Sequence, residues 1–490
     1  AQNTWSVDLP GLAPIRESVA TYDGGVVVVT YQPNNIMKLD ESGALVWSYV
    51  IDSGSLQMLF SLTETEDHGI VAFGNFADYS STYVVKLDEN GNKLWEKAYS
   101  TTAGGLTAQW ACPAHGDGGF LFGGGECGLK FYATRCDANG SVMWTREYQW
   151  LAGQFGGYLD CMVQAADGGY FATFNNYVAP DLDWGLIKID GSGAFEWAKV
   201  SDDVVYNNVV KATVATTTGG VAVLGVSYNT QLPNGAQQNM TLTTFDSAGN
   251  RLSHHVYDYP ESIQPEGIIQ TSDGGFILTG CVATTMRVLL VKTDSLGGII
   301  WQKAGRGYAW QFGMGLAAAR DEMFYLAGHD DVHWSFLNMM SVAGGDGFCA
   351  EDTVQLTVTS PATPILTATC SPWNGTVNAI PMADLSHTEM QQPTFLCTKV
   401  SNNPVVLTPP LVASPNPFTS TLNVEFGDAL LTEGHLRIHD LQGRIVHEAI
   451  VASGISSLEM DIPHLPNGML LLTLENEGIV RTLKLVHAGF

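Results

Sequence analysis

A turn rich in aspartate and glycine recurs through the first 350 residues, and this repetition limits the fold more than any other feature of the sequence. Successive turns lie 44 to 55 residues apart. They begin at Asp23, Asp67, Asp117, Asp167, Thr218, Asp273 and Asp321. Repeats of this length are typical of chains whose units cannot bury a core alone and must stack on one another.

A second element, D-x-x-G-x-x-x-W, follows most of these turns about twenty residues further along the chain. The complete copies end at Trp47, Trp95, Trp144, Trp197 and Trp301. The unit that begins at Thr218 keeps Asp246 and Gly249, and we read His254 there in place of the tryptophan. Because the element recurs, we expect these tryptophans to pack one unit against the next rather than to take part in chemistry.

Each unit has room for four strands, with the first turn between strands one and two and the tryptophan on strand four. Residues 26–29 and 83–87 are rich in β-branched and aromatic side chains, and such largely apolar runs predict strands that are buried on both faces. Sheets of four strands bury both faces only by stacking. The sequence therefore predicts an all-β fold, with a seven-bladed β-propeller over residues 1–349. Trp5 lies in an isolated N-terminal strand that we expect to complete the last blade.

Composition and charge exclude several classes of protein. Only 14% of the 490 residues are charged and 45% are apolar, which is too apolar for a disordered chain. The net charge is −27, so binding to nucleic acid is not expected. The sequence begins AQNTW and contains eight cysteines. We interpret it as the mature form of an exported protein whose signal peptide has been removed.

Five of the eight cysteines fall into two groups that could form disulfides. Cys112 and Cys161 are predicted on the first strands of adjacent blades, where a disulfide and two free thiols are both open alternatives. Cys349, Cys370 and Cys397 surround the segment that follows the repeats, and a pair among them would fasten it to the propeller. Sequence alone does not settle the connectivity.

Three polar segments occur once and are candidates for function. Residues 329–333 (HDDVH) could gather a metal ion, residues 88–92 (DENGN) resemble a calcium loop without its distal glutamate, and residues 181–184 (DLDW) form an acidic, aromatic loop suited to stacking on a sugar. For each segment an ordinary loop or turn is the preferred interpretation. We therefore assign no catalytic residue, no metal ligand and no cofactor from the sequence.

The repeat ends near residue 350, and two further regions follow. Residues 350–407 are rich in threonine, proline, serine and asparagine and are interpreted as a connector with some strand, of undetermined shape. In residues 408–490 apolar and polar residues alternate, as at Leu422, Val424 and Phe426. Alternation with a period of two gives one buried and one wet face, which predicts a small Ig-like β-sandwich.

Four motifs in this last region occur in a set order. They are SPNPF (with Pro415, Asn416, Pro417 and Phe418), DLQGR (with Gly443), LPNG (with Leu465, Pro466 and Gly468) and a terminal strand that carries Lys484. In order, spacing and position, the region resembles the type A C-terminal sorting domain of the type IX secretion system of Bacteroidetes. Leu470 departs from that family, which usually has tyrosine there.

The resemblance implies export through the periplasm and across the outer membrane, followed by release or attachment to the cell surface. It also implies binding of the domain to the translocon and to its outer-membrane barrel shuttle protein, and its removal by a sortase in some members. For the propeller we predict binding or adhesion, with a glycan or another surface ligand as partner. The alternative is an extracellular polysaccharide hydrolase or lyase, which buried carboxylates with raised pKa in the channel would favour.

Overall fold

The structure of the protein is a computed structural model. It describes residues 4–488 except residues 10–14, 31–33, 52–55, 77–80, 102–109, 115, 127–129, 151–156, 177–182, 202–205, 230–236, 285–286, 306–314, 329–335, 344–350, 353–354, 360–364, 369, 375–376, 382–393, 401–402, 405–410, 427–431, 441–443, 463 and 477–478. All regular elements in these residues are β-strands. None of the described segments forms a helix with the length and hydropathy that a bilayer crossing requires.

The first strand does not belong to the sheet formed by the strands that follow it in sequence. The next 24 strands form six sheets, each built from four consecutive strands. The first strand is β1 (Thr4–Asp8). Blades 1 to 3 are built from β2 (Ile15–Ala20), β3 (Val26–Thr30), β4 (Asn34–Leu39), β5 (Leu45–Ile51), β6 (Leu56–Glu64), β7 (Ile70–Phe76), β8 (Thr82–Leu87), β9 (Lys93–Thr101), β10 (Trp110–Pro113), β11 (Phe120–Glu126), β12 (Lys130–Cys136) and β13 (Val142–Trp150). Each blade takes four of these strands in order, paired antiparallel.

The plan continues through the second half of the propeller. Blades 4 to 6 are built from β14 (Gly157–Gln164), β15 (Tyr170–Asn176), β16 (Asp183–Ile189), β17 (Phe195–Ser201), β18 (Tyr206–Ala215), β19 (Val221–Asn229), β20 (Asn239–Phe245), β21 (Arg251–Asp258), β22 (Ile263–Gln270), β23 (Phe276–Val282), β24 (Arg287–Thr293) and β25 (Ile299–Gly305), and blade 7 starts with β26 (Leu316–Ala318), β27 (Met323–Gly328) and β28 (Phe336–Ser341). The described residues thus form seven sheets of this type. The prediction of an all-β propeller is confirmed.

The two glycine turns of each unit have a local chemical cause, illustrated by blade 1. In the first turn, Oδ1 of Asp23 accepts a hydrogen bond from the amide of Gly25 at 3.3 Å, and Gly24 has φ of 94°. In the second turn, Oδ1 of Asp40 accepts amide hydrogen bonds at positions two and four residues further on, while Gly43 has φ of 84°. Side chains disfavour such φ values, so glycine selects these hairpins.

Each repeated tryptophan joins its own blade to the second turn of the next blade. The indole Nε1 of Trp47 donates to the carbonyl oxygen of Glu89 at 3.0 Å, and a Cβ added to Gly91 would lie 2.6 Å from the ring. Glycine is therefore needed at this position for two reasons: its φ is positive, and the indole occupies the space of a side chain. The same arrangement places Trp95 on Gly140, Trp144 on Gly193 and Trp197 on Gly249, and the indole of Trp301 donates to the carbonyl oxygen of Val342.

In the unit without a tryptophan, the interpretation that His254 takes the place of the tryptophan is wrong. Strand register pairs Ser253 with Thr244, as it pairs Trp301 with Lys292 in the next blade. Ser253 is therefore the equivalent of the tryptophan. The space is filled from two residues further along, because a Cβ on Gly297 would lie 2.4 Å from the ring of His255.

Strand β1 supplies the fourth strand of blade 7. It pairs antiparallel with β28, with Trp5 opposite Met339. The indole of Trp5 donates to the carbonyl oxygen of Glu41 at 2.9 Å and packs on Gly43, as the other tryptophans do. The first strands of the sheets contact one another in a closed cycle, from β2 through β6, β10, β14, β18 and β22 to β26 and back to β2. The ring is thus closed by the two ends of the repeat region.

The segment after the repeats runs around the outside of this ring, and we call it the belt. Its strands are β29 (Glu351–Asp352), β30 (Thr357–Thr359), β31 (Ile365–Ala368), β32 (Cys370–Asn374), β33 (Val377–Pro381), β34 (Thr394–Val400) and β35 (Asn403–Pro404). Strands β29 to β33 pair antiparallel with the fourth strands of blades 6, 5, 4, 3 and 2 in turn, and β34 pairs with β1. The belt therefore covers the outer edges of six sheets while passing the blades in reverse order.

An ion pair between a buried lysine or arginine and a partly exposed aspartate holds the first turn of most blades to the third strand. Nζ of Lys86 lies 2.5 Å from Oδ2 of Asp67, and the lysine side chain is 1% exposed. Equivalent pairs join Lys38 to Asp23, Arg135 to Asp117, Lys188 to Asp167 and Lys292 to Asp273. Blade 5 has threonine at both positions, Thr218 and Thr244. The two charges are absent together there, which avoids an unpaired buried charge.

Residues Pro404–Phe490 form a separate compact unit. Its strands are β36 (Val412–Ser414), β37 (Thr421–Glu425), β38 (Gly434–His439), β39 (Ile445–Val451), β40 (Ser457–Asp461), β41 (Gly468–Asn476) and β42 (Ile479–His487). Strands β36, β37 and β40 form one sheet and β39, β38, β41 and β42 form another. Alternate residues such as Leu422, Val424, Leu436 and Leu472 are fully buried and form a single core, as the period of two predicts.

Candidate functional site

One position on the first strand of the blades departs from the repeat. It lies seven residues before the start of the first turn and is occupied, from blade 1 to blade 6, by Arg16, Phe60, Trp110, Asp160, Lys211 and Glu266. In five of these six blades the strand register skips this residue, which marks a β-bulge. A bulge turns the side chain away from the ladder. We call these six residues the bulge ring.

The bulge ring surrounds a cavity at the centre of the propeller. The cavity has a volume of about 610 Å³ and is lined by the first strands of the blades. Arg16, Phe60, Trp110, Lys211 and Glu266 all line it, together with Glu17 from the next position of blade 1. Volumes of this size hold small ligands in other proteins. The neighbouring strands are almost entirely buried, whereas these side chains are half-buried or exposed.

The cavity has two chemically different walls. Phe60 and Trp110 belong to blades 2 and 3, whereas Lys211 and Glu266 belong to blades 5 and 6. In a closed cycle of seven sheets these two pairs of blades lie on opposite sides. An aromatic wall therefore faces a charged wall, and Arg16 and Glu17 of blade 1 stand between them.

Burial changes the acidity of the carboxyl groups in this region. Desolvation raises the pKa of Glu17 and that of Glu266 from 4.5 to about 7. The pKa of Asp160 also rises, from 3.8 to about 7, again through desolvation. The nearby charge of Lys211 opposes the rise at both Asp160 and Glu266. These carboxyl groups can therefore exchange protons near neutral pH, as general acids and bases must.

Sequence reasoning found the strands that line the channel but missed these residues. Motifs do not reveal them. The signal is a position at a fixed distance before the first turn, where the residue type changes from blade to blade. At the turn glycines and at the tryptophans, most blades keep the same residue type. Close packing fixes the residue type at the turn glycines and the tryptophans. A position that is structurally equivalent but chemically different in each blade is not under this constraint.

Two cysteines also line the cavity, and they are not bridged. Cys112 and Cys161 are both buried free thiols, so the alternative of a disulfide between them is wrong. Desolvation raises the pKa of Cys161 to about 12 and also raises that of Cys112. Such thiols are poor nucleophiles at neutral pH. The side chains of Cys349, Cys370 and Cys397 lie outside the described residues.

The polar segments selected from the sequence do not form sites in the described part of the chain. In residues 88–92, both carboxylate oxygens of Asp88 accept hydrogen bonds within the turn, as the preferred interpretation holds. Trp184 is only 4% exposed and packs on Phe245, so the idea that it stacks on a sugar is wrong; residues 181 and 182 lie outside the described residues. Residues 329–333 lie outside the described residues. No group of three or more metal-binding side chains occurs among those that are described.

In the C-terminal unit, three of the four motifs meet at one place. Nδ2 of Asn416 donates to the carbonyl oxygen of Lys484 at 3.0 Å, and Oδ1 of Asn416 accepts from the amide of Val486 at 2.9 Å. Phe418 is 1% exposed, and its amide donates to the carbonyl oxygen of Val486. Pro415, Pro417, Pro466, Gly468 and Lys484 are exposed, and Leu465 is half-buried. Gly443 lies outside the described residues.

A buried histidine lies where these motifs meet. His487 is 2% exposed, and its ring lies 4.9 Å from that of Phe418. Its Nε2 is 2.8 Å from the carbonyl oxygen of Thr419, and its Nδ1 is 3.3 Å from that of Pro466. The histidine thereby joins the SPNPF turn, the LPNG turn and the last strand, although no motif search singled it out.

Comparison with known families identifies this unit. Residues 413–488 match the family described as "Secretion system C-terminal sorting domain". This unit is a type IX secretion sorting domain. It indicates export across the outer membrane, after which the protein is secreted or attached to the cell surface. It also implies interaction with the type IX secretion machinery.

The chain is also similar to solved structures of low sequence identity. No curated protein matches it. Among solved structures, the chain is similar to one described as a streptogramin B lyase (12% identity, TM-score 0.43, covering 69% of this chain and 97% of that one). It is also similar to a polysaccharide lyase (9% identity, TM-score 0.43, covering 70% of this chain and 100% of that one). Similarity at this level carries no information about activity.

Proposed function

We propose that this exported chain is a secreted or cell-surface binding protein whose propeller takes a ligand in its central channel. The observation that carries the proposal is the bulge ring, because it places different chemistry at one equivalent position around a cavity of about 610 Å³. Propellers expose such a channel to solvent, and a recessed polar and aromatic site is the usual form of a ligand pocket. Adhesion is the role we propose for binding at a cell surface.

A thermal-shift assay on the full-length protein tests this proposal. A ligand that binds only the folded state raises the melting temperature with its concentration. A panel of saccharides, amino acids and organic acids should contain compounds that raise it, and Lys211→Ala or Glu266→Gln should abolish the rise. Leu252→Ala is the matched control, because Leu252 is 59% exposed and does not line the cavity. A rise that survives both channel substitutions would place the ligand elsewhere.

The second candidate is a polysaccharide hydrolase or lyase, and a specific observation favours it. Glu17 and Glu266 line the same cavity and both have a pKa raised to about 7. Hydrolysis of a glycosidic bond uses a pair of carboxyl groups, one that protonates the leaving oxygen and one that, ionised, acts as base or nucleophile. Incubation with a panel of polysaccharides would reveal new reducing ends or unsaturated products. Loss of these products in Glu17→Gln and Glu266→Gln, with binding retained, would establish the enzyme and displace the pure binding role.

For the sorting domain, the proposed partners are the translocon, its outer-membrane barrel shuttle protein and a sortase. The exposed residues around Asn416 and Lys484 form the surface that the shuttle protein contacts. Lys484→Ala should leave the protein in the periplasm while the purified domain remains folded. Glu425→Ala, which changes an exposed residue on β37, should be exported normally. Equal export of both variants would exclude this surface.

A further inference from the structure

The chemistry of the two cavity walls points to one class of ligand. This inference rests on the proposed ligand site in the channel, and it concerns what that site selects. We infer that the channel takes a neutral saccharide unit, with one face of the sugar ring on Trp110 and its hydroxyl groups on the charged wall. The order of the residues around the ring and the sign of their charges support this inference.

The charged residues alternate in sign around the ring. Lys211 of blade 5 and Glu266 of blade 6 line the cavity, and blade 1 adds Arg16 and Glu17. A ligand with a net charge would approach one of these groups favourably and be repelled by the next. A neutral ligand with many hydroxyl groups meets no such penalty, because each hydroxyl can both donate and accept a hydrogen bond. Hydrogen bonds to charged partners are also the stronger kind.

The opposite wall explains why the ligand is a ring and not a small polyol. Phe60 and Trp110 line the cavity side by side from neighbouring blades, and both are half-buried. A pyranose ring has one face made largely of C–H groups, and this face packs on the flat surface of an aromatic ring. A sugar therefore has an apolar face for blades 2 and 3 and a hydroxyl edge for blades 5 and 6.

Raised carboxyl pKa values fit the same class of ligand. Because the pKa of Glu266 and that of Glu17 are about 7, both groups are partly protonated near neutral pH. A protonated carboxyl group donates one hydrogen bond and accepts others. Hydroxyl groups pair with both forms, because they donate to the ionised carboxylate and accept from the protonated carboxyl group.

Calorimetric titration of the full-length protein tests the inference. The neutral disaccharides are maltose, cellobiose and xylobiose. The charged counterparts are digalacturonate and the disaccharide of glucosamine, and free tryptophan serves as a zwitterionic aromatic ligand. We expect at least one neutral disaccharide to bind more tightly than every charged compound. Trp110→Ala should weaken that binding by about tenfold or more, the scale of one aromatic stacking contact, and Trp110→Phe should retain most of it. Leu252→Ala should bind as the unchanged protein does.

The outcomes separate the inference from the proposed function. Tighter binding of a charged compound, or no binding of any neutral disaccharide, overturns the saccharide assignment. If a charged ligand is found and is lost in Lys211→Ala, the ligand class is wrong while the channel remains the site. If a disaccharide binds equally to the unchanged protein, Trp110→Ala and Lys211→Ala, both proposals are wrong. Melting temperatures of the variants, together with Trp110→Phe, distinguish loss of contact from loss of folding.

Discussion

The indole nitrogen of Trp5 lies 2.9 Å from the carbonyl oxygen of Glu41. This hydrogen bond joins the last blade of the propeller to the first, since β1 completes blade 7 and Glu41 belongs to the second turn of blade 1. Five other tryptophans perform the same task between blades that follow one another in sequence. Among the tryptophans whose side chains the structure describes, Trp5 is the one that does so between the two ends of the repeat region.

Replacement of Trp5 should therefore open the ring. Trp5 is 2% exposed, and truncation of a buried tryptophan to alanine costs about 3–5 kcal/mol of unfolding free energy. We expect Trp5→Ala to lower the melting temperature strongly in calorimetry. Val46→Ala, at a position that is 53% exposed, should change the unfolding free energy by less than about 0.5 kcal/mol. Equal stability of the two variants would mean that the side chain of Trp5 is not needed for closure.

The ion pairs of the first turns should show coupling in a double-mutant cycle. Nζ of Lys292 lies 2.9 Å from Oδ2 of Asp273, and the lysine side chain is 3% exposed. Asp273→Thr leaves a buried ammonium group without its counter-charge, and we expect a loss of about 1–3 kcal/mol, less than for a wholly buried pair because the aspartate is half exposed. Lys292→Thr in addition should recover part of that loss, because blade 5 has threonine at both positions. A double variant less stable than the single one would contradict this account.

The same pairs determine how the protein responds to acid. Hydrogen bonds from Thr271 and Lys292 lower the pKa of Asp273 to about 2, against the effect of desolvation. The pKa values of Asp23, Asp67 and Asp167 are lowered as well. A lowered pKa contributes stability above the unfolded value of 3.8, and this contribution disappears as the pH falls towards 2. The melting temperature should therefore fall as the pH is lowered from 4 to 2. The fall should be smaller in the double variant Asp273→Thr, Lys292→Thr.

The channel carboxyl groups should have the opposite effect at higher pH. Because the pKa of Glu266 is raised from 4.5 to about 7, the folded state binds a proton that the unfolded state has lost between these values. Stability therefore falls as the pH rises from about 4.5 to 7. Glu266→Gln should raise the melting temperature at pH 8 and leave it nearly unchanged at pH 4. Glu425→Gln, which changes an exposed residue, is the control and should leave the melting temperature unchanged at both pH values. An equal rise of the melting temperature in Glu425→Gln at pH 8 would contradict the role assigned to Glu266.

Backbone amides of the belt should exchange slowly with solvent. Residues 365–368 and 370–374 pair with the outer strands of blades 4 and 3, and paired amides are protected according to the stability of the sheet that holds them. Hydrogen exchange followed by mass spectrometry should show protection in peptides from these residues, and in peptides from β13 and β17. Exchange as fast as in an unfolded peptide would show that the segment is a linker.

The blade plan could be predicted from sequence because its causes are local. Asp23 and Gly24 determine a hairpin through hydrogen bonds within four residues, and Gly43 does so through its φ. The period of the turns and of Trp47 and its equivalents then predicts stacked sheets. The motifs from Pro415 to Lys484 likewise identify the sorting domain, because each is a short run with a fixed order.

The channel and the path of the belt were decided only by tertiary structure. Lys211 and Glu266 are 55 residues apart in sequence and line one cavity only because the ring closes and a bulge turns each of them inwards. The strands of the belt have no marked periodicity, and their partners are the edges left free by the blades. Long-range pairing and burial decide both features, and neither is encoded in any short stretch of residues.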